Sequence, residues 1–62
     1  MIILQQLKEP NAPWVEITQE ECLELTEGCG YWKKGTVLNM LEEGHTVFTA
    51  FSLFKKDNKK GG

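Results

Sequence analysis

Residues 45–56, HTVFTAFSLFKK, decide the fold class that this sequence predicts. The run is rich in aromatic and β-branched residues and contains no proline or glycine, which predicts one long strand. Both faces of such a strand would be largely apolar, so we expect it to be central in a sheet or to meet another chain. Alternation assigns two sets of side chains to opposite faces: Val47, Thr49, Phe51 and Leu53 to one, and Phe48, Ala50, Ser52 and Phe54 to the other.

The elements predicted before this strand begin with another strand and a helix. Residues 1–7, MIILQQL, are β-rich at their start and end before the turn-forming EPNAP, which predicts a first strand. A short extended piece at residues 14–17 leads to Thr18 and Glu21, which have the spacing of a capping box. The box predicts a helix over residues 19–27, with Gly28 or Gly30 as its left-handed cap. Its apolar stripe would hold Cys22, Leu25 and Cys29, with Leu23 beside them.

A second helix is predicted after the segment EGCGYWKKG at residues 27–35. Residues 36–43, TVLNMLEE, fit a short helix that is capped by Thr36 and closed by Gly44. A strand is the alternative, because the same residues also alternate. Helix is favoured, since asparagine and glutamate are poor strand formers.

These elements predict a small α+β fold. A single compact domain over residues 1–56 would hold an antiparallel sheet, made of the N-terminal strand and the long C-terminal strand and packed by one or two short helices. Residues 57–62 would form a flexible basic tail. A 62-residue chain removes only about 60% of its unfolded surface from water, so its stability should be small. An unpaired edge at MIILQQL or HTVFTAFSLF could join two chains as a homodimer.

The charges divide along the chain. Residues 1–28 carry one lysine against six glutamates, a net charge of −5, and residues 29–62 carry six lysines against three acids, a net charge of +3. One acidic and one basic side are therefore expected. All seven cations are lysines, so the bidentate fork that arginine offers to guanine or phosphate is missing. The short first run MIILQQL lacks the pattern of a signal peptide, and a cytoplasmic location is expected.

Catalytic and metal chemistry find little support. The chain has one histidine, one serine and one aspartate, His45, Ser52 and Asp57, which the predicted elements do not bring together as a triad. Cys22, Cys29 and His45 lack the spacing of a metal site. We expect no enzyme activity, no cofactor, no metal and two reduced cysteines.

Aromatic and basic residues instead predict binding to a protein partner. Trp14 is expected in the core, whereas the segment YWKK stands where the charge of the chain changes sign. Tryptophan and tyrosine are enriched at the energetic centres of protein interfaces. The sequence therefore predicts a protein-interaction module. Its small size, simple composition and dipolar surface suit an accessory or regulatory protein of the kind that small mobile genomes or phages encode. Its expected partner-binding residues are Tyr31, Trp32, Lys33, Lys34, Phe51 and Leu53.

Nucleic-acid binding is the alternative. The segments WVEITQEECLELT and KKGTVLNMLEEG resemble the first two helices of phage excisionase-type domains, over about half of the chain. The resemblance implies a winged-helix DNA-binding accessory factor. Under it, the residues near DNA would be Lys33, Lys34, Asn39, Lys55 and Lys56.

Overall fold

A computed structural model describes residues 1–57 and shows the predicted α+β class. Four strands form one antiparallel sheet in the order β2-β1-β4-β3, and two helices pack on it. The strands are β1 Ile3–Leu7, β2 Val15–Ile17, β3 Val47–Phe48 and β4 Ser52–Lys56, and the helices are α1 Gln19–Thr26 and α2 Val37–Glu42.

The predicted pairing between the two ends of the chain is confirmed, with β1 antiparallel to β4. The single long strand over residues 45–56 is wrong, because a turn divides it into the hairpin of β3 and β4. Thr49 makes this turn: its hydroxyl accepts from the amides of Phe51 and Ser52 at 3.2 and 3.1 Å, and its own amide donates to the Ser52 carbonyl at 2.9 Å. A threonine hydroxyl can bond locally in this way and so supply a turn without glycine or proline.

The hairpin also changes which side chains share a face. Val47 pairs with Phe54 and both are fully buried, whereas Phe48 pairs with Leu53 on the opposite face of the sheet. Strict alternation put Val47 with Leu53 and Phe48 with Phe54, and this prediction is wrong. Residues that face each other across a hairpin share a side of the sheet, and the turn sets that register.

One hydrophobic core lies between the sheet and the helices. The sheet contributes Ile3, Val47 and Phe54, all from one face, and the helices contribute the other fully buried apolar side chains, Cys22, Val37 and Leu41. Both helices therefore lie on the same side of the sheet. The fold has two layers, and the second face of the sheet is open.

The first helix begins as its capping box predicts. The Thr18 hydroxyl accepts from the Glu21 amide at 3.1 Å, and the Glu21 carboxylate accepts from the Thr18 amide at 3.2 Å. The predicted apolar stripe needs correction: Cys22 and Thr26 are buried, Leu23 is half-buried, and Leu25 and Cys29 are exposed. Thr26 tolerates burial because its hydroxyl donates to the Cys22 carbonyl at 2.7 Å.

The helix interpretation of residues 36–43 is confirmed, although its start differs from the prediction. Thr36 makes no side-chain capping bond. The carboxylate of Glu27, at the end of α1, instead accepts from the amides of Gly35 and Val37 at 3.0 and 3.1 Å. Gly44, with φ of +92°, closes α2 as predicted, and Gly30, rather than Gly28, takes the left-handed conformation after α1.

Both ends of the described chain meet at the sheet. The amide of Asp57 donates to the Ile2 carbonyl at 2.8 Å, and the rest of the predicted tail, residues 58–62, lies outside the described residues. MIILQQL is not an open edge, because β1 pairs on both sides. The sheet edges are the three-residue β2 and the two-residue β3. Neither α1 nor α2 is long and apolar enough to cross a lipid bilayer.

Candidate interaction surface

The face of the sheet opposite the helices forms a continuous surface, which we call the open sheet face. Its strand residues alternate with the buried ones, so the register assigns them directly. Leu53 pairs with Gln6 on one side and with Phe48 on the other, and Leu4 pairs with both Glu16 and Lys55. The strand residues of the open sheet face are Leu4, Gln6, Glu16, Phe48, Leu53 and Lys55.

Each end of this surface carries an aromatic ring with a lysine over it. The Lys55 Nζ lies 4.3 Å from the centre of the Trp14 ring, beside β2. At the opposite edge the Lys8 Nζ lies 5.6 Å from the centre of the Phe48 ring, on β3. Three strand spacings separate these edges, or about 14 Å. Leu53 and Gln6 lie between the two rings, so an apolar and an uncharged polar side chain separate the two cationic ends.

Trp14 does not lie in the core, contrary to the prediction. Its side chain is half-buried beneath Lys55, and Lys55 belongs to the open sheet face. Phe48 is 49% exposed on the same face. A cation over an aromatic face is worth about 0.5–1 kcal/mol at exposed sites, so these contacts hold the lysines without burying the rings.

Trp32 covers the outer edge of β3. Its indole Nε1 donates to the Phe48 carbonyl at 2.7 Å, and the two rings meet edge to face with centres 5.8 Å apart. The indole is half-buried and packs against the core. Trp32 therefore satisfies a carbonyl at the sheet edge and joins the predicted YWKK segment to the open sheet face through Phe48.

The other predicted partner-binding residues lie in two regions, the connection between α1 and α2 and the β3–β4 hairpin. Tyr31 is 49% exposed, and Lys33 and Lys34 are exposed, all in the connection between α1 and α2. Leu53 is on the open sheet face, whereas Phe51 is 79% exposed at the tip of the hairpin. The structure thus connects Trp32 and Leu53 through Phe48, and places Phe51 in the turn instead of on the same strand face as Leu53.

Lys34 also borders a groove beside α1. The groove has a volume of about 410 Å³ and opens to solvent. Its described lining is Leu23, Glu24, Glu27, Gly28 and Lys34. It lies in the helical layer and is separate from the open sheet face.

The residues of the nucleic-acid alternative do not share one face. Lys55 lies on the open sheet face, whereas the Lys56 Nζ reaches the Glu42 carbonyl, at 3.3 Å, on the helical side. The Asn39 amide donates to the Gly35 carbonyl at 3.2 Å, within its own helical turn. Only Lys33 and Lys34 are adjacent and exposed.

Charge divides between the two layers of the fold. The helices and their C-terminal caps carry six glutamates, whereas the strand residues of the open sheet face carry Lys55 and one acid, Glu16. Lys8 adds a second positive charge at the Phe48 edge. The acidic set is Glu20, Glu21, Glu24, Glu27, Glu42 and Glu43.

The nucleophilic side chains of the described chain are separated from one another. Cys22 is fully buried, and this burial, together with the nearby charge of Glu27, raises the pKa of its thiol to about 11. Ser52 is buried and accepts from the Gln5 amide at 3.0 Å. Cys29 is exposed and makes no disulfide. Within residues 1–57, no three side chains of the types that ligate metals lie close enough to hold an ion.

No protein-family model, curated protein or solved structure matches this chain. The open sheet face is therefore assigned from its own geometry. Sequence reasoning missed Trp14, Phe48 and Lys8 as members of a shared surface. Recognition of a turn at Thr49 would have identified Phe48, because the turn puts its ring on the same face as Leu53 and opposite Phe54.

Proposed function

We propose that this protein is a small non-enzymatic interaction module, which acts in the cytoplasm as an accessory or regulatory factor of a phage or mobile-element type. It binds a protein partner through the open sheet face and the adjoining residues 31–34. One observation carries this proposal: the half-exposed rings of Trp14 and Phe48 flank Leu53 on a sheet face opposite both helices. Two free cysteines, one of them exposed, suit a reducing compartment.

The size of the surface explains why the adjoining residues belong to the proposed interface. The four strands contain fifteen residues in all, and at about 3.3 Å per residue and about 4.8 Å per strand they span a flat area of about 240 Å². A stable protein interface buries about 800 Å² on each partner, close to a fifth of the 4465 Å² accessible surface of this chain. Tyr31, Lys33 and Phe51 must therefore contribute, or the contact is a weak one.

Affinity capture tests the proposal, with matched substitutions on the two layers. The full chain is immobilised, exposed to bacterial lysate with and without nuclease, and compared with a Trp14→Ala/Leu53→Ser double variant. Leu25→Ser is the control, because Leu25 is 45% exposed on α1 and lies outside the proposed surface. Circular dichroism first verifies that each variant is folded.

The expected result is a defined protein that survives nuclease, is retained by Leu25→Ser and is lost by the double variant. A partner that the folded double variant still captures would contradict the proposal. If capture disappears with nuclease, the winged-helix alternative is favoured over a protein partner, and duplex DNA affinity should then fall steeply with salt. Sedimentation over a range of concentrations shows whether a second copy occupies the surface.

A further inference from the structure

The open sheet face has a charge pattern that selects among protein partners. We infer that it binds an acidic segment in which two carboxylates flank an apolar side chain. This inference rests on the proposed function and specifies the chemistry of the partner. The observation behind it is that the Lys55 and Lys8 ammonium groups lie over two rings at opposite edges of the sheet, Trp14 and Phe48, with Leu53 between the rings.

The spacing of the two lysine-covered rings sets the length of the segment. About 14 Å separates the Trp14 edge from the Phe48 edge. An extended segment that crosses the strands covers this distance in about four residues, and a helix covers it in about nine. The middle of the surface is Leu53, which offers an apolar contact, beside Gln6, whose side-chain amide already donates to the Ala12 carbonyl at 2.8 Å.

The ammonium groups retain the capacity to bind carboxylates where they stand. A lysine ammonium has three N–H donors, and contact with a ring face uses attraction to the π-system without neutralising the charge. Lys55 is half-exposed, so its Nζ can pair with an incoming oxygen while its stem remains over Trp14.

The charge of the helical layer also favours one side of the protein for binding of an acidic segment. The helical side carries six glutamates against Lys33, Lys34 and Lys56 and so disfavours an acidic segment, whereas the open sheet face carries Lys55 and Lys8 against Glu16 and attracts it. Complementary potentials of this kind raise association rates and suppress wrong orientations. Glu16 restricts where a carboxylate can approach, since it lies next to Leu4 at the β2 edge.

Single-stranded nucleic acid is the less favoured occupant. Base stacking needs an accessible ring face, and Lys55 already covers one face of Trp14 at 4.3 Å. A phosphate backbone also needs a continuous track of cations, whereas this surface has one lysine at each edge.

Peptide selection on the immobilised full chain tests the inference. A random 12-residue display library is selected for binding, and enriched peptides are synthesised beside versions with glutamine for each acid. We expect enriched peptides to carry acids on both sides of an apolar residue. Their affinity should fall about 2- to 30-fold with Lys8→Gln/Lys55→Gln, the range for two exposed ion pairs. Lys56→Gln is the control, since it removes the same charge from the opposite face.

Three results would overturn the inference. Enriched peptides that lack acids, or that bind Lys8→Gln/Lys55→Gln as tightly as the unchanged protein, exclude recognition of carboxylates. If such peptides are nevertheless lost by Leu53→Ser, the proposed function stands and only the acidic chemistry fails; if they are not, both fail. A selection that enriches no peptide also contradicts the inference that the open sheet face binds an acidic segment, whether or not the protein binds a 12-residue oligo(dT) as a probe for single-stranded nucleic acid.

Discussion

Replacement of Glu27 by alanine should loosen the second helix from the first. Glu27 is the C-terminal cap of α1, and its carboxylate accepts from the amides of Gly35 and Val37 at 3.0 and 3.1 Å. Thr36 makes no side-chain capping bond, so the Glu27 carboxylate, which belongs to α1, caps the N-terminus of α2 instead. With six residues, α2 is too short to be stable without such support.

The expected loss is about 1–2 kcal/mol in the free energy of unfolding. A lost N-cap costs about 0.5–2 kcal/mol, and a hydrogen bond to a charged acceptor contributes about 1.5–3 kcal/mol. Glu27 is half-exposed, so solvent weakens its hydrogen bonds and the expected loss lies where the two ranges overlap or just below. Since a chain of this size has a total stability of roughly 3–9 kcal/mol, the change is large.

Urea denaturation followed by far-ultraviolet circular dichroism measures this loss. Glu24→Ala is the matched control, because Glu24 is exposed on the same helix. Glu27→Gln should fall between the two, since its amide oxygen accepts hydrogen bonds but carries no charge. A Glu27→Ala protein within about 0.3 kcal/mol of the control would refute the assignment of Glu27 as the cap, because that difference is smaller than any capping contribution.

Four further predictions concern the sheet edge, the two thiols and the turn at Gly44. Trp32→Phe removes the donor to the Phe48 carbonyl and should lower the unfolding free energy by about 1 kcal/mol in urea denaturation; an unchanged value means that the bond adds no stability. Iodoacetamide should modify Cys29 in the folded protein and Cys22 only after unfolding, and equal rates would contradict the burial of Cys22. The pKa of Cys22 is about 11 in the folded protein and lower in the unfolded chain. The contribution of the neutral thiol to the unfolding free energy is therefore present below about pH 9 and is lost as pH rises through 11. A Cys22→Ala protein should lose less unfolding free energy over that pH range. Gly44→Ala should cost about 1 kcal/mol by thermal denaturation, since Gly44 has φ of +92°, and a stabilised protein would exclude that strain.

Local signals in the sequence predicted the helices well. The Thr18 and Glu21 pair placed the start of α1 because a capping box satisfies backbone donors within four residues. Gly44 likewise placed the end of α2, since a left-handed residue is needed there. The buried side of each helix was less predictable: Leu25 was expected to be buried on α1, but Thr26 is buried and Leu25 is exposed. Burial depends on the direction from which the sheet approaches, and a polar residue can be buried where it bonds its own helix.

The hairpin escaped prediction because its turn is held by a side chain. Residues 45–56 contain no glycine, proline, asparagine or aspartate, which are the usual signals of a turn. The Thr49 hydroxyl supplies two bonds in their place, and pairing of β4 with the distant β1 fixes where the chain must reverse. Long-range pairing of this kind overrides local β-propensity.

The same turn determines which surface is available to a partner. If residues 45–56 were one strand, Phe48 and Phe54 would lie on the same face of the sheet, the face that the helices cover. The reversal at Thr49 buries Phe54 against the helices and leaves Phe48 beside Leu53 on the open sheet face. Trp32 then covers the edge that the short β3 leaves, because its indole reaches the Phe48 carbonyl. The aromatic and basic character of residues 31–34 was visible in the sequence, but its connection to the sheet depends on one turn, and so the turn decides where a partner would bind.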